Sequence, residues 1–342
     1  SDNNWQVSVM HDENALISYC TYHNPDLKLS LVSKDFVDYE MDAFCRIFEA
    51  HNLSDQEREV RIFFHQVFEI SNLGRGDTVL YVPHGNYVLD YKGKVSLLIS
   101  GQITDTNTYF DQHSVGNYRI EGKEGTYKDA EDGILSGNPI EHGSVDSVLG
   151  ATLNIAPEEV KTVHYWVVAA KLVKEIYELN DYVIEKTPDY LIKTTKDFWK
   201  AWVNKQEINR HTLDDKLIDL YKKSLFIIRS HIDNGGAIIA SGDSDLLKEG
   251  RDTYGYVWPR DGALTVIALD KAGYYDISRR FFEFCNEVIS DEGFLMHKFR
   301  SDLSLGSSWH PWVRNNKVEF PIQEDETALV IHALWEHYAR VK

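Results

Sequence analysis

Thr162 to Ile184 reads TVHYWVVAAKLVKEIYELNDYVI, and its period changes partway along. Thr162 to Val168 is a β-rich apolar run, the signature of a strand. From Ala169 to Ile184 the apolar residues recur at helical spacing, which predicts a helix. Upstream of this junction the chain reads as strands, and downstream it reads as helices.

On the strand side, Val60, Ile62, Phe64, Phe68 and Ile70 lie at period two, interrupted only by Gln66. Further short β-rich runs are Thr78 to Val82, Tyr87 to Tyr91, Val95 to Ser100 and Leu149 to Ile155. Turn residues separate them, as in Pro83-His84-Gly85-Asn86 and Lys92-Gly93-Lys94. Many short strands with such turns predict an antiparallel β-sandwich. Glu121 to Ser147 is long, rich in glycine and without periodicity, which marks a loop with a function of its own or a disordered one.

On the helical side, Asp189 to Val203 reads as a second helix, with Pro188 suited to its start. Leu213 to Ile232 is a stronger helix whose stripe includes Leu217, Leu220, Leu225 and Ile228. Helices then follow at about Gly262 to Ala272, Asp276 to Ile289 and Glu326 to Arg340. The expected fold class is multidomain β + α: a sandwich over residues 1–168, a helical linker over 169–212 and a helical domain over 213–342.

Composition narrows the function. The chain has 342 residues, 43% hydrophobic and 26% charged, which is a globular balance. Its formal net charge is −18, from 54 acidic and 36 basic residues, which argues against nucleic acid as a partner. There is no apolar run of the roughly 18 residues that a membrane helix needs, so no membrane partner is expected. Cys20, Cys45 and Cys285 are too far apart for a zinc site and odd in number for a disulfide framework, so a cytoplasmic setting is expected. His84, His113 and His142 lack metal-ligand spacing and read as loop or core histidines, and neither a metal nor a cofactor is expected. A calcium ion at Asp129 to Asp132 is disfavoured because Asp-Ala-Glu-Asp lacks alternating oxygen ligands. Aromatics reach 12%, which suits core packing and equally suits flat rings stacked on sugars.

The chemistry gathers in two stretches. Arg251 to Leu264 reads RDTYGYVWPRDGAL, with Trp258, Arg260 and Asp261 where a loop enters a helix. Asp261 could act as a helix N-cap and Arg260 could pair with a surface acid. Taken together, Arg offers a planar fork of donors, Asp offers acceptors, and the two can hold hydroxyls in fixed geometry beside a tryptophan wall. The second stretch runs from GSSWHPW at Gly306 to Trp312 into FPIQEDETALV at Phe320 to Val330. Gln323, Glu324, Asp325 and Glu326 stand at a helix start, where acids are favoured by the dipole in any case.

WPRDGAL, GSSWHPW and PIQEDETAL, in this order and spacing, resemble glycoside hydrolase family 15, particularly its prokaryotic glucoamylases, glucodextranases and trehalases. FDQHSVG at Phe110 to Gly116 and KEGTYKDAEDGILSGNPIEHGSVDSV at Lys123 to Val148 are similar to the sandwich domain of that family. The resemblance implies a sandwich, a helical linker and an (α/α)6 barrel, of which this chain holds an incomplete part. It implies that Arg260 and Asp261 grip a terminal glucose, with Trp258 beside them and Trp309, Gln323 and Glu326 as further substrate contacts. The implied substrates are an α-glucan, a maltooligosaccharide or trehalose, cut by an exo-acting inverting hydrolase.

That mechanism needs an acid and a base roughly 6.5–9.5 Å apart. The resemblance places both in motifs later than Lys342, the acid in a Leu-Trp-Glu-Glu motif. Leu334-Trp335-Glu336 repeats three of those residues, but inside the helix after QEDE and with His337 in the fourth place. Glu326 and Glu324 remain as candidates for the acid within this chain. Twelve helices with their loops need roughly 170–240 residues, and residues 213–342 hold about four helices. A piece of a longer enzyme, one half of a split enzyme completed by a second chain, and a homo-oligomer are the expected settings. A non-catalytic carbohydrate-binding or regulatory protein is the alternative.

Overall fold

The computed structural model describes residues 4–70, 76–205, 213–242, 252–308 and 312–342. They divide into two compact units, residues 1–202 and 203–342. The first is antiparallel sheet closed by two helices, and the second is helices and loops.

The first unit holds thirteen strands among its described residues: β1 (Gln6–His11), β2 (Ile17–Asn24), β3 (Leu29–Val37), β4 (Ala43–Asn52), β5 (Arg58–Gln66), β6 (Asp77–Val82), β7 (Tyr87–Lys92), β8 (Val95–Ile103), β9 (Thr108–Tyr109), β10 (Gln112–Asn117), β11 (Ile140–Gly143), β12 (Val145–Ile155) and β13 (Val160–Ala170). A large sheet runs β1-β2-β3-β4-β13-β8-β7-β6-β11, with β9 beside β8, and a small one runs β10-β12-β5. Helices α1 (Val173–Lys186) and α2 (Pro188–Val203) follow.

Period two explains how these layers meet. Tyr165 on β13 points into the core between the sheets, with Phe64 of β5 and Leu149 of β12. Its neighbour Trp166 points to the opposite face, among Ile176, Val183 and Leu191 of the two helices. The large sheet is thus buried on both sides, which is why β13 reads as an unbroken apolar run. Trp166 is fully buried, and its Nε1 donates to Asn180 Oδ1 at 2.9 Å, so the indole keeps its hydrogen bond. Helices α1 and α2, read from sequence as a connector, form a third layer on this sheet.

Gln66, which interrupts the alternation of β5, is itself buried on the inward face, where its Oε1 accepts from Ser147 Oγ at 2.9 Å. The strand ends there, so Ile70 lies beyond it, while Phe68 still packs on the core. Within Glu121 to Ser147, which sequence reads as one loop, Ile140–Gly143 forms β11 at the edge of the large sheet and Val145 opens β12, and the preceding stretch is tied to the small sheet. Asp146 accepts from the Thr126 N–H at 2.6 Å and faces His65 Nε2 at 2.7 Å. Gly125 has a φ of +138°, and a Cβ there would sit 2.7 Å from Asp146 Oδ2. Asp129 is occupied in the same segment, accepting from the Ser136 N–H at 2.8 Å.

The second unit contains α3 (Asp215–Ser230), α4 (Pro259–Lys271), α5 (Tyr275–Val288) and α6 (Glu324–Val341). A two-residue-turn hairpin pairs β14 (Val313–Arg314) with β15 (Lys317–Val318), its Asn315 and Asn316 at φ +52° and +60° as a primed turn requires. The stripe read for α3 is corrected: it buries Ile218, Lys222, Leu225 and Phe226, and leaves Leu217 and Leu220 exposed. Helix α4 packs against both α6 and α5. The α4–α5 approach depends on Gly262, whose added Cβ would lie 2.2 Å from the Phe281 ring.

Candidate functional site

The first turns of α4 and α6 meet. Pro259 takes the N1 position of α4, where its missing N–H costs nothing. Arg260 follows at the next position, where the backbone N–H has no partner within its own helix. Gln323 is the N-cap of α6, and Glu324, Asp325 and Glu326 form its first turn. Negative side chains are stabilised at both helix starts by the dipole.

Arg260 binds this second helix start throughout. Its Nη1 donates to Gln323 Oε1 at 2.8 Å and to Asp325 Oδ2 at 3.0 Å, and lies 3.2 Å from Glu326 Oε1. Its backbone N–H donates to Glu326 Oε2 at 2.5 Å. Asp261 Oδ2 stands 3.9 Å from Arg260 Nε. The side chains of Asp261 and Asp325 are each 53% exposed and that of Arg260 29%, while that of Glu326 is fully buried. Two open acceptors therefore flank one half-open donor fork, an arrangement that can bind neighbouring hydroxyls.

Burial pushes the Glu326 carboxyl up to about 7; the Arg260 N–H and guanidinium pull it down, and the Asp325 and Asp261 charges push it further up. Burial lowers the Arg260 value, but Glu326, Asp325 and Asp261 together hold it above the usual arginine range.

Trp258 precedes this pair and is only 7% exposed. Its Nε1 donates to His297 Nε2 at 3.1 Å. The Lys298 ammonium lies 5.0 Å from its ring and 4.0 Å from that of Tyr256. Lys298 also reaches Asp252 Oδ2 at 3.1 Å, and Asp252 accepts from Tyr256 and Ser307. Burial raises Asp252, but the bonds from Ser307, Lys298 and Tyr256 outweigh it and hold the carboxyl below its usual range. On this loop the open aromatic is Tyr254, 57% exposed with its ring 5.9 Å from that of Trp258. Sequence reasoning passed over Tyr254; its place four residues before Trp258 was the available signal.

Of the residues read from sequence, Arg260, Asp261, Gln323 and Glu326 come together, with Trp258 buried beside them. Trp309 lies outside the described residues. The N-cap of α4 is Trp258, not Asp261, which stands within the first turn. Glu324 belongs to the same α6 turn. Glu336 is ten residues beyond Glu326, about 15 Å along the helix, and it pairs with Arg340 at 3.2 Å. His337 lies against Asp270 instead. Among the described residues no group of three His, Cys, Asp or Glu side chains is placed to hold a metal ion, and no helix is long and apolar enough to cross a membrane.

No protein-family model matches the chain. It is 23% identical over 345 residues to an uncharacterized glycosyl hydrolase of Methanocaldococcus jannaschii, a match covering 98% of this chain and 51% of that protein. Its fold is similar to that of a bacterial glucoamylase solved in complex with acarbose, at a TM-score of 0.70 and 15% identity, covering 88% of this chain and 44% of the glucoamylase. The chain is thus glucoamylase-like in fold and resembles a glycoside hydrolase in sequence. It spans about half the length of each of these proteins.

Proposed function

We propose that this chain carries the sugar-gripping part of an exo-acting, inverting α-glucoside hydrolase that releases terminal glucose. The observation that carries this reading is the Arg260 fork held between two exposed acceptors, Asp261 and Asp325, at the meeting of two helix starts. An arginine beside carboxyl groups binds neutral hydroxyls without needing a charged substrate. The acarbose held by the similar glucoamylase points to the same ligand class, an α-linked glucose oligomer. Gln323 and Tyr254 would complete the grip, with Trp258 buried behind it. Maltooligosaccharide, a dextran-like glucan and trehalose are the three substrates in play.

The helical unit is, in this reading, part of an (α/α)6 barrel, with residues 1–168 a sandwich domain and 169–212 a linker. Helix α4 packs on α6, its neighbour but one, with α5 against α4, which is how inner and outer helices alternate in such a barrel. Helix α6 also exposes Ile331, Leu334, Trp335, Tyr338 and Val341, a stripe at helical spacing that further helices would cover. General acid and base belong to those further helices. Glu326 is a poor acid, since both its oxygens face Arg260 and none reaches solvent.

The test is glucose release from maltotriose, isomaltotriose and trehalose, with NMR to identify the anomer. Release of β-glucose from one of them supports inversion and names the substrate. Release of α-glucose contradicts inversion, binding without release is expected if the acid and base lie outside this chain, and absence of binding contradicts the reading.

A further inference from the structure

Glu326 is the third residue of α6, the position from which a glutamate ordinarily reaches back to cap its own helix. Its side chain crosses to α4 instead. Helix α4 opens with Trp258 as N-cap, which makes no side-chain capping bond, and with Pro259, which has no N–H. The Arg260 N–H is the first donor left over, and Glu326 Oε2 takes it at 2.5 Å while Oε1 lies 3.2 Å from the guanidinium of the same residue. Three acids therefore surround one arginine. Asp261 and Asp325 are open to solvent and Glu326 is sealed away.

We propose that Glu326 is a positioning residue for Arg260: its buried carboxylate holds both the backbone and the guanidinium in the orientation that presents the remaining donors to a saccharide. The proposal rests on the saccharide reading of Arg260. Glu326 itself neither touches the sugar nor exchanges a proton with it. Removing it would leave the α4 start uncapped and leave the guanidinium held only by Gln323 and Asp325, free to pivot about that one edge.

The charged and titratable groups facing Glu326 are Arg260 and Asp261 from α4, Cys285 from α5 and Asp325 from its own helix. With burial pushing its carboxyl up to about 7, ionisation falls near neutrality. Above that range the carboxylate holds Arg260 at two points. Below it the neutral acid still accepts the N–H but loses the ion pair. The grip on a sugar therefore tightens as pH rises through 7.

The test compares wild type with Glu326→Gln, which keeps an acceptor for the N–H and removes the charge. NMR across pH 5–9 should show the Arg260 amide and guanidinium nitrogens shifting together with a midpoint near 7, and this shift should vanish in Glu326→Gln. Arg260 signals that stay flat while Glu326 titrates would overturn the proposal. In calorimetric titrations with acarbose, wild-type affinity should rise from pH 6 to 8. Glu326→Gln should bind about tenfold more weakly at pH 8, with no pH dependence. Equal affinities and equal pH profiles would also overturn it. Wild type that fails to bind acarbose although its nitrogens co-titrate would leave the Arg260–Glu326 coupling standing and remove the saccharide reading, and with it the functional half of the proposal.

Discussion

His337 Nδ1 sits 3.0 Å from both carboxylate oxygens of Asp270, so α4 and α6 are tied at their far ends as well as at their first turns. The Asp270 side chain is fully buried and that of His337 nearly so. The pair fixes the angle between the two helices that present Arg260 and Gln323. Truncating one partner strands the other without its bond. His337→Ala should therefore lower stability by about 3 kcal/mol, read from urea unfolding midpoints. A change within 0.5 kcal/mol would show that the pair is not a tie.

Gly262 sets two effects against each other. Alanine is a better helix former by about 0.5–1 kcal/mol, but its Cβ would lie 2.2 Å from the Phe281 ring. Overpacking of this kind costs about 1–3 kcal/mol. Gly262→Ala should therefore be destabilising, with a lower Tm. An unchanged or raised Tm would mean that α4 and α5 can part without loss.

Buried acids give stability a pH dependence with a defined sign. Asp90 on β7 is pushed up from 3.8 to about 7, by burial first and then by the Asp77 charge, against a smaller pull from Lys92. Its folded form binds a proton more tightly than the unfolded chain does. The stabilisation is complete below about 3.8 and is lost as pH rises through about 7. Asp90→Asn should shrink the difference in unfolding free energy between pH 5 and pH 8. If the variant keeps the wild-type difference, Asp90 is not its source.

Much of the architecture was legible because period-two and helical runs rarely imitate each other. Where the reading slipped, the cause is local. Helix α3 is apolar on more than one face, with Leu217, Ile218, Leu220, Phe226 and Ile227 all near one another, so periodicity alone could not choose which side is buried. The buried Lys222 points the same way, since its aliphatic stem can lie in a core. The hairpin at Asn315 and Asn316 was signalled by its Asn-Asn turn, but its strands are two residues each, too short for a pattern. In the site, sequence placed acids at a helix start and could not say that one of them, Glu326, would serve the start of another helix. Nor could it say that Trp258 would be covered by Lys298 while Tyr254 stays open.

The most direct measurement is a calorimetric titration of the purified protein with acarbose, wild type against Arg260→Ala. The alanine variant loses every charged donor between Asp261 and Asp325, so affinity should fall on the order of 100-fold while the folded signal in circular dichroism is retained. Equal affinity in the two proteins would contradict the account, because the sugar would then be held somewhere other than the meeting of α4 and α6.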